Sequence, residues 1–521
     1  MRRPAVVFIG FMGAGKSTAL AAARAAGLQT TEIDDLMAAS FGKPIDRAFK
    51  EDGEAAFRAR ESEVVGSLLE EADGGAIALG GGSVLLERVR EALARHLVVW
   101  LQVDPAEAWR RIAHTKRPLA TSEDDVRELL AARLPLYEEL ADAVVPAGDR
   151  EIVGRALPAI RALAELSPGT KLRWAASSSG EYPIYVGSGL LRAAFAGDSA
   201  VYRAWGSQGR RFCVSDRAVA SLYGERLEPL AATATVEPGE SAKTMAEAER
   251  VLRELARAGM TRSDHVVALG GGVVGDLAGF CAHLYQRGVP VVQAPTTLVA
   301  QVDSAYGGKT GVDLPEGKNY AGAYQLPALV VADVSCLETL PLAELRAGFV
   351  EVLKTGLLAG GALWERVRLI EELDPAELGD VVSACAGYKC DVVAADERDS
   401  GRRNVLNLGH TVGHAIEAAT GYERFRHGEA VALGLLAALR LSEAPALRDE
   451  VEAILRRHAL PTSIEGGDGA LLEAILDAVG RDKKRTAAGV GFVLLAEPGR
   501  PRIGQLVEPD RVRSAVQELF A

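Results

Sequence analysis

The sequence RNVLNLGHTVGH, residues 403–414, places two histidines four positions apart in a segment that is otherwise mostly apolar. On a helix, His410 and His414 would share one face, and the apolar residues around them predict burial. Buried imidazoles need partners, and the chain offers Glu351 and His427. Neutral imidazoles and a carboxylate suit zinc, and three protein ligands leave a fourth position for water or substrate. The spacing by itself fits a metal site and a pair of surface histidines capped by carboxylates equally well.

The composition is that of a globular protein without an unusual partner. The chain has 521 residues, of which 48% are hydrophobic and 25% charged, which predicts about three domains. A net charge of -12 argues against a nucleic-acid surface and requires local Lys and Arg to gather any anionic substrate. The five cysteines form no Cys-x-x-Cys pair, which is typical of reduced thiols in a cytosolic protein. We expect a cytoplasmic protein with neither a signal peptide nor a membrane span.

The first third of the chain carries a phosphate-binding loop. An apolar run, residues 5–9, predicts a buried strand, and GFMGAGKS (10–17) follows it directly before an Ala-rich segment. This is the strand, loop and helix context that a P-loop requires, with a lysine for the β and γ phosphates and a serine for Mg²⁺. The sequence therefore predicts an ATP and Mg²⁺ site formed by Gly13, Gly15, Lys16, Ser17 and Thr18.

Further motifs indicate what accepts the phosphate. They are Glu32-Ile33-Asp34, Phe57-Arg58, Gly80-Gly81-Gly82, Arg117-Pro118-Leu119, and Arg133 with Tyr137. In this order and spacing they resemble the shikimate kinase pattern, from about residue 4 to about residue 160. The resemblance implies a P-loop NTPase-like parallel sheet with helices, and the phosphorylation of shikimate by ATP.

The same resemblance assigns roles to individual residues. It implies that Asp34, Arg58, Gly81 and Arg133 hold shikimate, the arginines facing its carboxylate and Asp34 accepting a hydroxyl proton. It also implies that Arg117 lies in a lid over ATP. Glu32 departs from the family, which usually has Asp at this position. A carboxylate is kept, one methylene longer, beside a Mg²⁺ ion that retains several waters.

A break in the helical pattern separates this part from the rest. Ser167-Pro168-Gly169-Thr170 ends the helix, and short apolar runs then alternate with helical patterns until about residue 335. From about 336 on, the Ala/Leu periodicity predicts mainly helices. The predicted domains are 1–168, 169–335 and 336–521, and we expect the parts before and after Pro168 to work independently.

A second nucleotide site is predicted where the apolar run 266–269 meets Gly270-Gly271-Gly272. A strand that feeds a glycine cluster at a helix start is typical of a pyrophosphate site, although a tight structural turn has the same pattern. Four more motifs accompany it: PGESAK (238–243), APTTLVAQVDS (294–304), GGK (307–309) and GKN (317–319). With Glu351, Lys354, residues 403–414 and His427, they resemble 3-dehydroquinate synthase across about 180–500.

This resemblance implies an α/β nucleotide-binding domain followed by a mainly helical metal-binding domain. It makes Glu351, His410 and His427 the ligands of zinc or cobalt, and His414 a substrate contact, which replaces the His410–His414 pair suggested by spacing. The residues implied to contact NAD are Asp216, Glu240, Lys243, Gly271, Gly272, Asp276, Thr296 and Thr297, with Asp303, Lys309 and Lys318 beside them. The residues implied to hold the substrate are Arg287, Lys309, Lys318, Asn319, Lys354, Lys389, Arg403, Asn407 and one lysine of 483–484, which we predict to be Lys484.

The implied reaction converts 3-deoxy-D-arabino-heptulosonate 7-phosphate into 3-dehydroquinate with release of phosphate. NAD is regenerated in each turnover, so the enzyme is a lyase, and we expect a homodimer formed through this part. Two alternatives remain open from the sequence. One is a small-polyol kinase joined to a metal-dependent alcohol dehydrogenase, and the other is a P-loop module that binds ATP only to regulate its neighbour.

Overall fold

Apolar runs that end in glycine-rich turns fold into strands that lead directly into helices in the computed structural model. The structure describes residues 4–114, 122–481, 485–486 and 489–520. Among them, two compact units are formed. The first unit comprises the residues up to 176 together with 181–185 and 192–207, and the second comprises 177–180, 186–191 and the residues from 208 on.

The strands of the first unit are short and mostly buried. They are β1 (Val6–Ile9), β2 (Thr30–Glu32), β3 (Ala76–Ala78), β4 (Leu97–Gln102), β5 (Ala143–Pro146), β6 (Lys171–Ser177) and β7 (Gly180–Gly187). Its helices are α1 (Lys16–Ala25), α2 (Ile33–Phe41), α3 (Ile45–Glu51), α4 (Gly53–Glu71), α5 (Glu87–Leu93), α6 (Pro105–Ile112), α7 (Glu123–Leu140), α8 (Ile152–Ala162), α9 (Leu190–Phe195) and α10 (Ala200–Trp205). The ends of β6, β7 and α9 belong to the second unit.

The sheet of the first unit has the strand order β2-β3-β1-β4-β5-β6-β7. The pairs from β2 to β6 are parallel, and β6 extends the sheet beyond β5 with Leu172 opposite Ala143. Parallel strands end at one edge of a sheet, which is where open α/β folds bind ligands. The P-loop after β1, Glu32 at the end of β2 and Gly81 after β3 therefore lie at the same edge.

The second unit begins with another parallel sheet and continues mainly as helices. Its strands are β8 (Arg211–Asp216), β9 (Ala232–Val236), β10 (His265–Gly270), β11 (Val291–Pro295), β12 (Lys309–Leu314), β13 (Gly317–Tyr324), β14 (Leu329–Asp333), β15 (Arg485–Thr486), β16 (Gly489–Leu495) and β17 (Pro501–Leu506). Its helices are α11 (Arg217–Tyr223), α12 (Met245–Arg257), α13 (Gly272–Leu284), α14 (Leu342–Ala359), α15 (Gly361–Arg368), α16 (Gly379–Ala395), α17 (His410–Ala419), α18 (His427–Leu441), α19 (Pro445–Arg457), α20 (Gly469–Gly480) and α21 (Pro509–Gln517).

The second unit's parallel sheet has the order β9-β8-β10-β11-β14, and β12 and β13 form a separate antiparallel hairpin. Apolar residues of β8, β9, β10, α12 and α13 form one buried core. This core fixes the turn from β10 into α13, where the predicted glycine cluster lies.

Glycines allow the helices that carry the histidines to approach one another closely. A Cβ atom at Gly428 of α18 would lie 1.9 Å from the carbonyl oxygen of Ala347 in α14. A Cβ at Gly434 would lie 2.0 Å from the carbonyl oxygen of Gly409, just before α17. The first approach joins the start of α18 to α14, and the second joins the start of α17 to α18. Among the described helices, none combines the length and the apolar composition needed to cross a bilayer.

Candidate active sites

The P-loop of the first unit surrounds a cavity at the carboxyl edge of its sheet. Gly13 and Gly15 have φ angles of +80° and +88°, which let the loop turn its backbone toward the cavity. Helix α1 begins at Lys16, whose ammonium donates hydrogen bonds to the carbonyls of Gly10 (2.8 Å) and Phe11 (3.0 Å). The predicted residues Gly13, Gly15, Lys16, Ser17, Thr18, Asp34 and Gly81 all line this cavity, and so does Glu32.

Glu32 lies directly against the predicted Mg²⁺ serine. The Ser17 hydroxyl donates a hydrogen bond to Oε1 of Glu32, which occupies the N-cap position of α2. Asp34 lies in the first turn of that helix. The longer carboxylate therefore still reaches the site at which the family usually has an aspartate.

Two predicted arginines flank the glycine loop after β3. Arg133 is buried and donates to the carbonyl of Gly81 (3.0 Å), and Tyr137 donates to the same oxygen (2.8 Å). Burial raises the pKa of Tyr137 to about 12, so the hydroxyl is the donor at neutral pH. Arg58 pairs with the buried Glu61 (2.5 Å).

Glu61 was not predicted from sequence. Its second oxygen accepts from Ser83 (2.6 Å), so it fixes Arg58 to the glycine loop. The signal was the spacing of three residues between Arg58 and Glu61 on one helix, which is common on solvated surfaces too. The predicted lid residue Arg117 lies outside the described residues.

In the second unit, Glu351, His410 and His427 come together from three helices. Nε2 of His410 and Nε2 of His427 each lie 3.5 Å from Oε1 of Glu351. One ligand atom from each of the three residues falls within 4.8 Å of the others. His414, His427 and Glu417 form a second such group, which is more exposed.

The surroundings of the Glu351 group fit a divalent cation. Glu351 is 1% exposed, and within the described part of the chain neither of its oxygens accepts a regular hydrogen bond, although Lys354 forms an ion pair with Oε2. Burial would raise the pKa of Glu351, but Lys354 and His410 hold it well below its usual range. Burial and Lys354 hold the pKa of His410 well below its usual value. A carboxylate and a neutral imidazole are the forms that bind zinc.

His427 is oriented from both sides. Its Nδ1 lies 3.3 Å from Oε2 of Glu417, a buried residue one turn beyond His414 on α17. Burial would lower the pKa of His427, but contacts with Glu351 and Glu417 raise it to about 10. Glu417 was not predicted from the sequence. Its position three residues after His414 does not distinguish a buried partner of His427 from an ordinary polar residue on the helix surface.

A cluster of buried cations lies beside this group. Lys389 on α16 pairs with Asp303 (2.5 Å), which lies in a short π-helical turn, Ala300–Ser304. Burial lowers the pKa of Lys389, and the neighbouring Lys354 and Arg403 lower it further. Arg403 is 3% exposed and donates to the carbonyl of Glu397 (2.8 Å).

The hairpin β12–β13 supplies more charge to the same unit. Lys309 pairs with Asp399, and Lys318 lies 3.6 Å from Glu417 and 3.9 Å from Glu240. The predicted residues Asn319 and Asn407 form hydrogen bonds with residues nearby in sequence. Asn319 donates its backbone N–H to Asp313 (2.7 Å), and the side-chain amide of Asn407 donates to Asn404 (3.2 Å).

The glycine turn at the start of α13 is tightly packed. A Cβ at Gly271 would lie 2.9 Å from the methyl group of Thr297, and one at Gly272 would lie 3.1 Å from the hydroxyl of Ser304. Lys243 is 4% exposed and pairs with Asp276 of α13 (2.6 Å). Thr296 follows β11, and its hydroxyl is buried without a hydrogen-bond partner among the described residues.

Three predicted residues lie away from these clusters or outside the described chain. Asp216 caps α11 by accepting from the backbone N–H of Val219 (2.9 Å). Arg287 is exposed in the short 3-10 turn that follows α13, at the opposite end of that helix from the glycine turn. Lys484 lies outside the described residues.

Comparisons with known proteins assign both units. The shikimate kinase family model matches residues 12–161, and the N-terminal and C-terminal models of 3-dehydroquinate synthase match residues 233–347 and 348–485. The chain is 44% identical over 356 residues to the 3-dehydroquinate synthase of Symbiobacterium thermophilum, covering 65% of this chain and 98% of that relative.

Two solved structures share the architecture of the synthase part. One is 2-epi-5-epi-valiolone synthase from Streptomyces hygroscopicus subsp. jinggangensis with NAD⁺ and Zn²⁺ bound, with a TM-score of 0.54, 26% identity, and 65% of this chain and 96% of that one covered. The other is 2-deoxy-scyllo-inosose synthase complexed with carbaglucose-6-phosphate, NAD⁺ and Co²⁺, with a TM-score of 0.60, 23% identity, and 67% and 100% covered. The second likeness concerns the fold alone.

The matches confirm the predicted fold class and the predicted pair of enzymes, in preference to a regulatory P-loop module fused to an alcohol dehydrogenase. The assignments of individual site residues and the domain boundaries stay predictions. The chain belongs to the 3-dehydroquinate synthase family and carries a shikimate kinase domain ahead of its synthase part, which makes it a bifunctional enzyme.

Proposed function

We propose that residues 1–168 phosphorylate shikimate with ATP and Mg²⁺, and that residues 169–521 convert 3-deoxy-D-arabino-heptulosonate 7-phosphate into 3-dehydroquinate with NAD and zinc or cobalt. Within the synthase part, 169–335 binds NAD and 336–521 binds the metal and substrate. The observation that carries the synthase proposal is the meeting of Glu351, His410 and His427 beside a cluster of buried cations.

The ligand set and the cofactor have separate places in the second unit. When bound, the divalent metal supplies a Lewis acid to a substrate oxygen, and NAD supplies a hydride acceptor that is restored within each turnover. Glu351, His410 and His427 hold the metal. The glycine turn at Gly271 and Gly272 faces the pyrophosphate with the N-terminus of α13.

The contact between Lys243 and Asp276 supports the NAD proposal. Helix α13 begins at Gly272, and Asp276 lies in its second turn, where Lys243 reaches it from the segment before α12. The buried ion pair holds these two segments together around the turn, and Glu240 extends the same group toward the outside. Glu240, Thr296, Thr297 and Asp216 complete the proposed set.

The buried cation cluster is the proposed binding site for the negatively charged groups of the substrate. A phosphate and a carboxylate must be held by a protein whose net charge is -12. Lys354, Lys389 and Arg403 are almost fully buried, so their attraction for an anion is weakly screened. Lys309, Lys318, Asn319, Asn407 and Asp303 line the same region in the proposal, and Arg287 and Lys484 are assigned by resemblance alone.

His414 is the proposed proton carrier nearest to the metal ligands. Its ring centroid lies 5.2 Å from that of His410 and 5.9 Å from that of His427. It is exposed, whereas His410 is buried. An accessible imidazole beside the ligands can contact a substrate hydroxyl and move its proton.

In the kinase, the phosphates and the acceptor have separate anchors. Lys16 and the loop amides hold the β and γ phosphates, and Ser17 with Glu32 holds Mg²⁺ and its waters. Arg58 and Arg133 bind the carboxylate of shikimate beside Gly81, and Asp34 accepts the proton of the attacking hydroxyl. Arg117 closes over ATP in this proposal.

We further propose a cytoplasmic homodimer formed through the synthase part. The five cysteines are all buried and form no disulfide with one another, as is usual in proteins of a reducing compartment. Light scattering of the full chain should give twice the chain mass of 55.0 kDa. A monomer at micromolar concentration would contradict the dimer.

Two assays on the purified full chain test the catalytic proposals. In one, NAD and zinc are supplied and phosphate release from the heptulosonate phosphate is followed, with product identified as 3-dehydroquinate. In the other, ATP and Mg²⁺ are supplied and shikimate 3-phosphate is measured. Net accumulation of NADH would contradict the lyase reaction, and ATP binding without phosphorylation of shikimate would contradict the kinase.

A further inference from the structure

Glu417 is a buried carboxylate next to the proposed metal ligands that no motif singled out. It lies near the end of α17, is 4% exposed, and faces two positively charged or ligating groups. A buried carboxylate is costly unless it is paired, so its contacts indicate what it does.

The first contact is with His427. Oε2 of Glu417 lies 3.3 Å from Nδ1 of His427, while Nε2 of the same ring lies 3.5 Å from Oε1 of Glu351. With a metal ion bound, a carboxylate on Nδ1 would keep the imidazole proton on that nitrogen and leave the Nε2 lone pair for the metal beside Glu351. Carboxylate partners of this kind fix the tautomer and ring orientation of metal-binding histidines.

The second contact is with the β12–β13 hairpin. Oε1 of Glu417 lies 3.6 Å from the ammonium of Lys318, which also lies 4.3 Å above the ring of Tyr422. The backbone N–H of Tyr422 in turn donates to the carbonyl of Glu417 (2.8 Å). One side chain therefore ties the proposed substrate lysine and the proposed metal ligand to the same end of α17.

An alternative role for Glu417 is that of a ligand itself, because His414, Glu417 and His427 also form a group of ligand spacing. The two groups differ in burial. His414 is exposed, whereas Glu351 is 1% exposed and His410 is buried. The more enclosed group, with Glu351 at its centre, is the better cation site, and Glu417 lies on the far side of the His427 ring from it.

We propose that Glu417 is a positioning residue that orients His427 toward the metal and holds Lys318 at the same site. This inference rests on the proposed metal site of Glu351, His410 and His427. It adds to that site a carboxylate that binds neither metal nor substrate, and it predicts that metal affinity and substrate affinity both depend on one residue outside the ligand set.

Zinc affinity of the full-length protein, measured by competition with a chromophoric chelator, is the primary test because it does not depend on activity. The variants are Glu417→Ala and Glu417→Gln, with Glu423→Gln as the matched control, since Glu423 is an exposed glutamate in the turn that follows the same helix. We expect Glu417→Ala to weaken zinc binding by about 10- to 100-fold, the usual effect of removing such a partner. Glu417→Gln should lose no more than about threefold, because its amide oxygen still accepts from Nδ1, and the control should be unchanged.

Two further readouts separate positioning from a general loss of structure. The metal-free Glu417→Ala protein should keep the wild-type circular dichroism and elution volume at the temperature of the zinc titration, although loss of the buried carboxylate lowers its melting temperature. At saturating metal, KM for the heptulosonate phosphate should rise in both Glu417 variants, because Lys318 loses a charged partner in each. The cobalt-substituted Glu417→Gln protein should keep the wild-type visible spectrum.

The outcomes are distinct. Unchanged zinc affinity in Glu417→Ala would overturn the proposal. Loss of one bound metal per chain at saturating zinc, or a changed cobalt spectrum in Glu417→Gln, would also overturn it, because Glu417 would then be a ligand. If Glu417→Ala does not fold, Glu417→Gln takes its place in the test. A zinc affinity of Glu417→Gln more than about tenfold weaker than that of the control would then contradict the proposal. Failure of the underlying metal site gives a different result, since the wild-type protein would then bind no zinc and His427→Ala would change nothing.

Discussion

The P-loop site of the first unit and the metal-centred site of the second unit are built in opposite ways. The P-loop comes from one continuous segment, and its lysine bonds to carbonyls five and six residues away. The metal-centred site draws Asp303, Glu351, Lys389, His410 and His427 from five separate elements. The phosphate-binding loop is a property of a local sequence, whereas the metal-centred site is a property of helix packing.

The two sites also differ in how their charges are compensated. Lys16 and Ser17 are half-buried beside a cavity, so that water can solvate them. In the second unit, Lys354 pairs with Glu351 away from solvent, and the buried Lys389 pairs with the partly exposed Asp303. Removing one member of such a pair leaves an uncompensated buried charge, which typically costs about 3–5 kcal/mol. Substitutions of Lys16 or Ser17 should therefore affect catalysis alone, and substitutions in the buried pairs of the second site should affect catalysis and stability together.

The largest effect is expected for Lys16→Ala. It removes the charge that faces the β and γ phosphates, so kinase activity should fall by about 100- to 1,000-fold or more. Synthase activity and the melting temperature should stay at wild-type values, as measured by the two assays and by calorimetry. A parallel loss of both activities in the folded protein would contradict the expectation that Lys16 acts only in the kinase reaction.

The next effect separates two histidines of the second site. His427→Ala should lose bound zinc, because two remaining ligands do not hold the metal, whereas His414→Ala should keep zinc and lose turnover. Metal analysis after gel filtration decides between them. Loss of zinc from the His414 variant and its retention in the His427 variant would reverse the ligand assignment.

Asp303→Asn tests the cost of an unpaired buried cation. It leaves Lys389 without its carboxylate near Lys354 and Arg403, so unfolding should require about 3 kcal/mol less free energy. Asp380→Asn is the control, since Asp380 lies on the same helix as Lys389 in an exposed ion pair worth at most about 1 kcal/mol. Inorganic phosphate should restore part of the lost stability by binding the cations that have lost their carboxylate partner. Equal denaturation midpoints for the two variants would contradict this reading.

A smaller effect concerns the edge of the first unit. Beyond Pro168, β6 pairs with β5, the Tyr185 hydroxyl donates to Ala159 (3.1 Å), and Arg155 pairs with Glu181 (2.7 Å). A kinase fragment of residues 1–168 should therefore melt at least about 2–4 °C below a fragment of 1–207, because β5 becomes an exposed edge. Both fragments should phosphorylate shikimate, since the proposed catalytic residues precede 168. Identical melting curves would show that residues 169–207 do not stabilise the kinase fragment.

The smallest effect is expected at Glu32. Glu32→Asp should change kinase activity only a few-fold, about 1 kcal/mol or less in the barrier, because it keeps the carboxylate near Ser17. Glu32→Ala should raise the Mg²⁺ concentration needed for half-maximal rate. An unchanged Mg²⁺ dependence in the alanine variant would show that Glu32 is only a turn residue before α2.

Much of the architecture could be predicted from the sequence where the signal is local. The run before the P-loop forms β1, and the glycine cluster after β10 opens α13. Each of these signals lies within about ten residues, because backbone hydrogen bonding and glycine conformation are decided over that distance.

The choice among the histidines shows where local reasoning ends. Spacing placed His410 and His414 on one helix, which is correct, since both lie on α17. Spacing could not show that His410 would meet His427, because that contact depends on the close approach of α17 to α18 at Gly434. Glu61 and Glu417 were missed for the same reason, since a carboxylate looks alike in sequence whether it is solvated or buried.

The sequence by itself determined the two families, the P-loop, and the residues that the motifs carry. Only the tertiary structure decided which charges are buried together, which carboxylate orients His427, and that β6 extends the sheet of the first unit. The physical reason is the range of the interactions. Turns, caps and phosphate loops are fixed by neighbours along the chain, whereas the free energy of a buried charge is set by partners that only packing brings within a few ångströms.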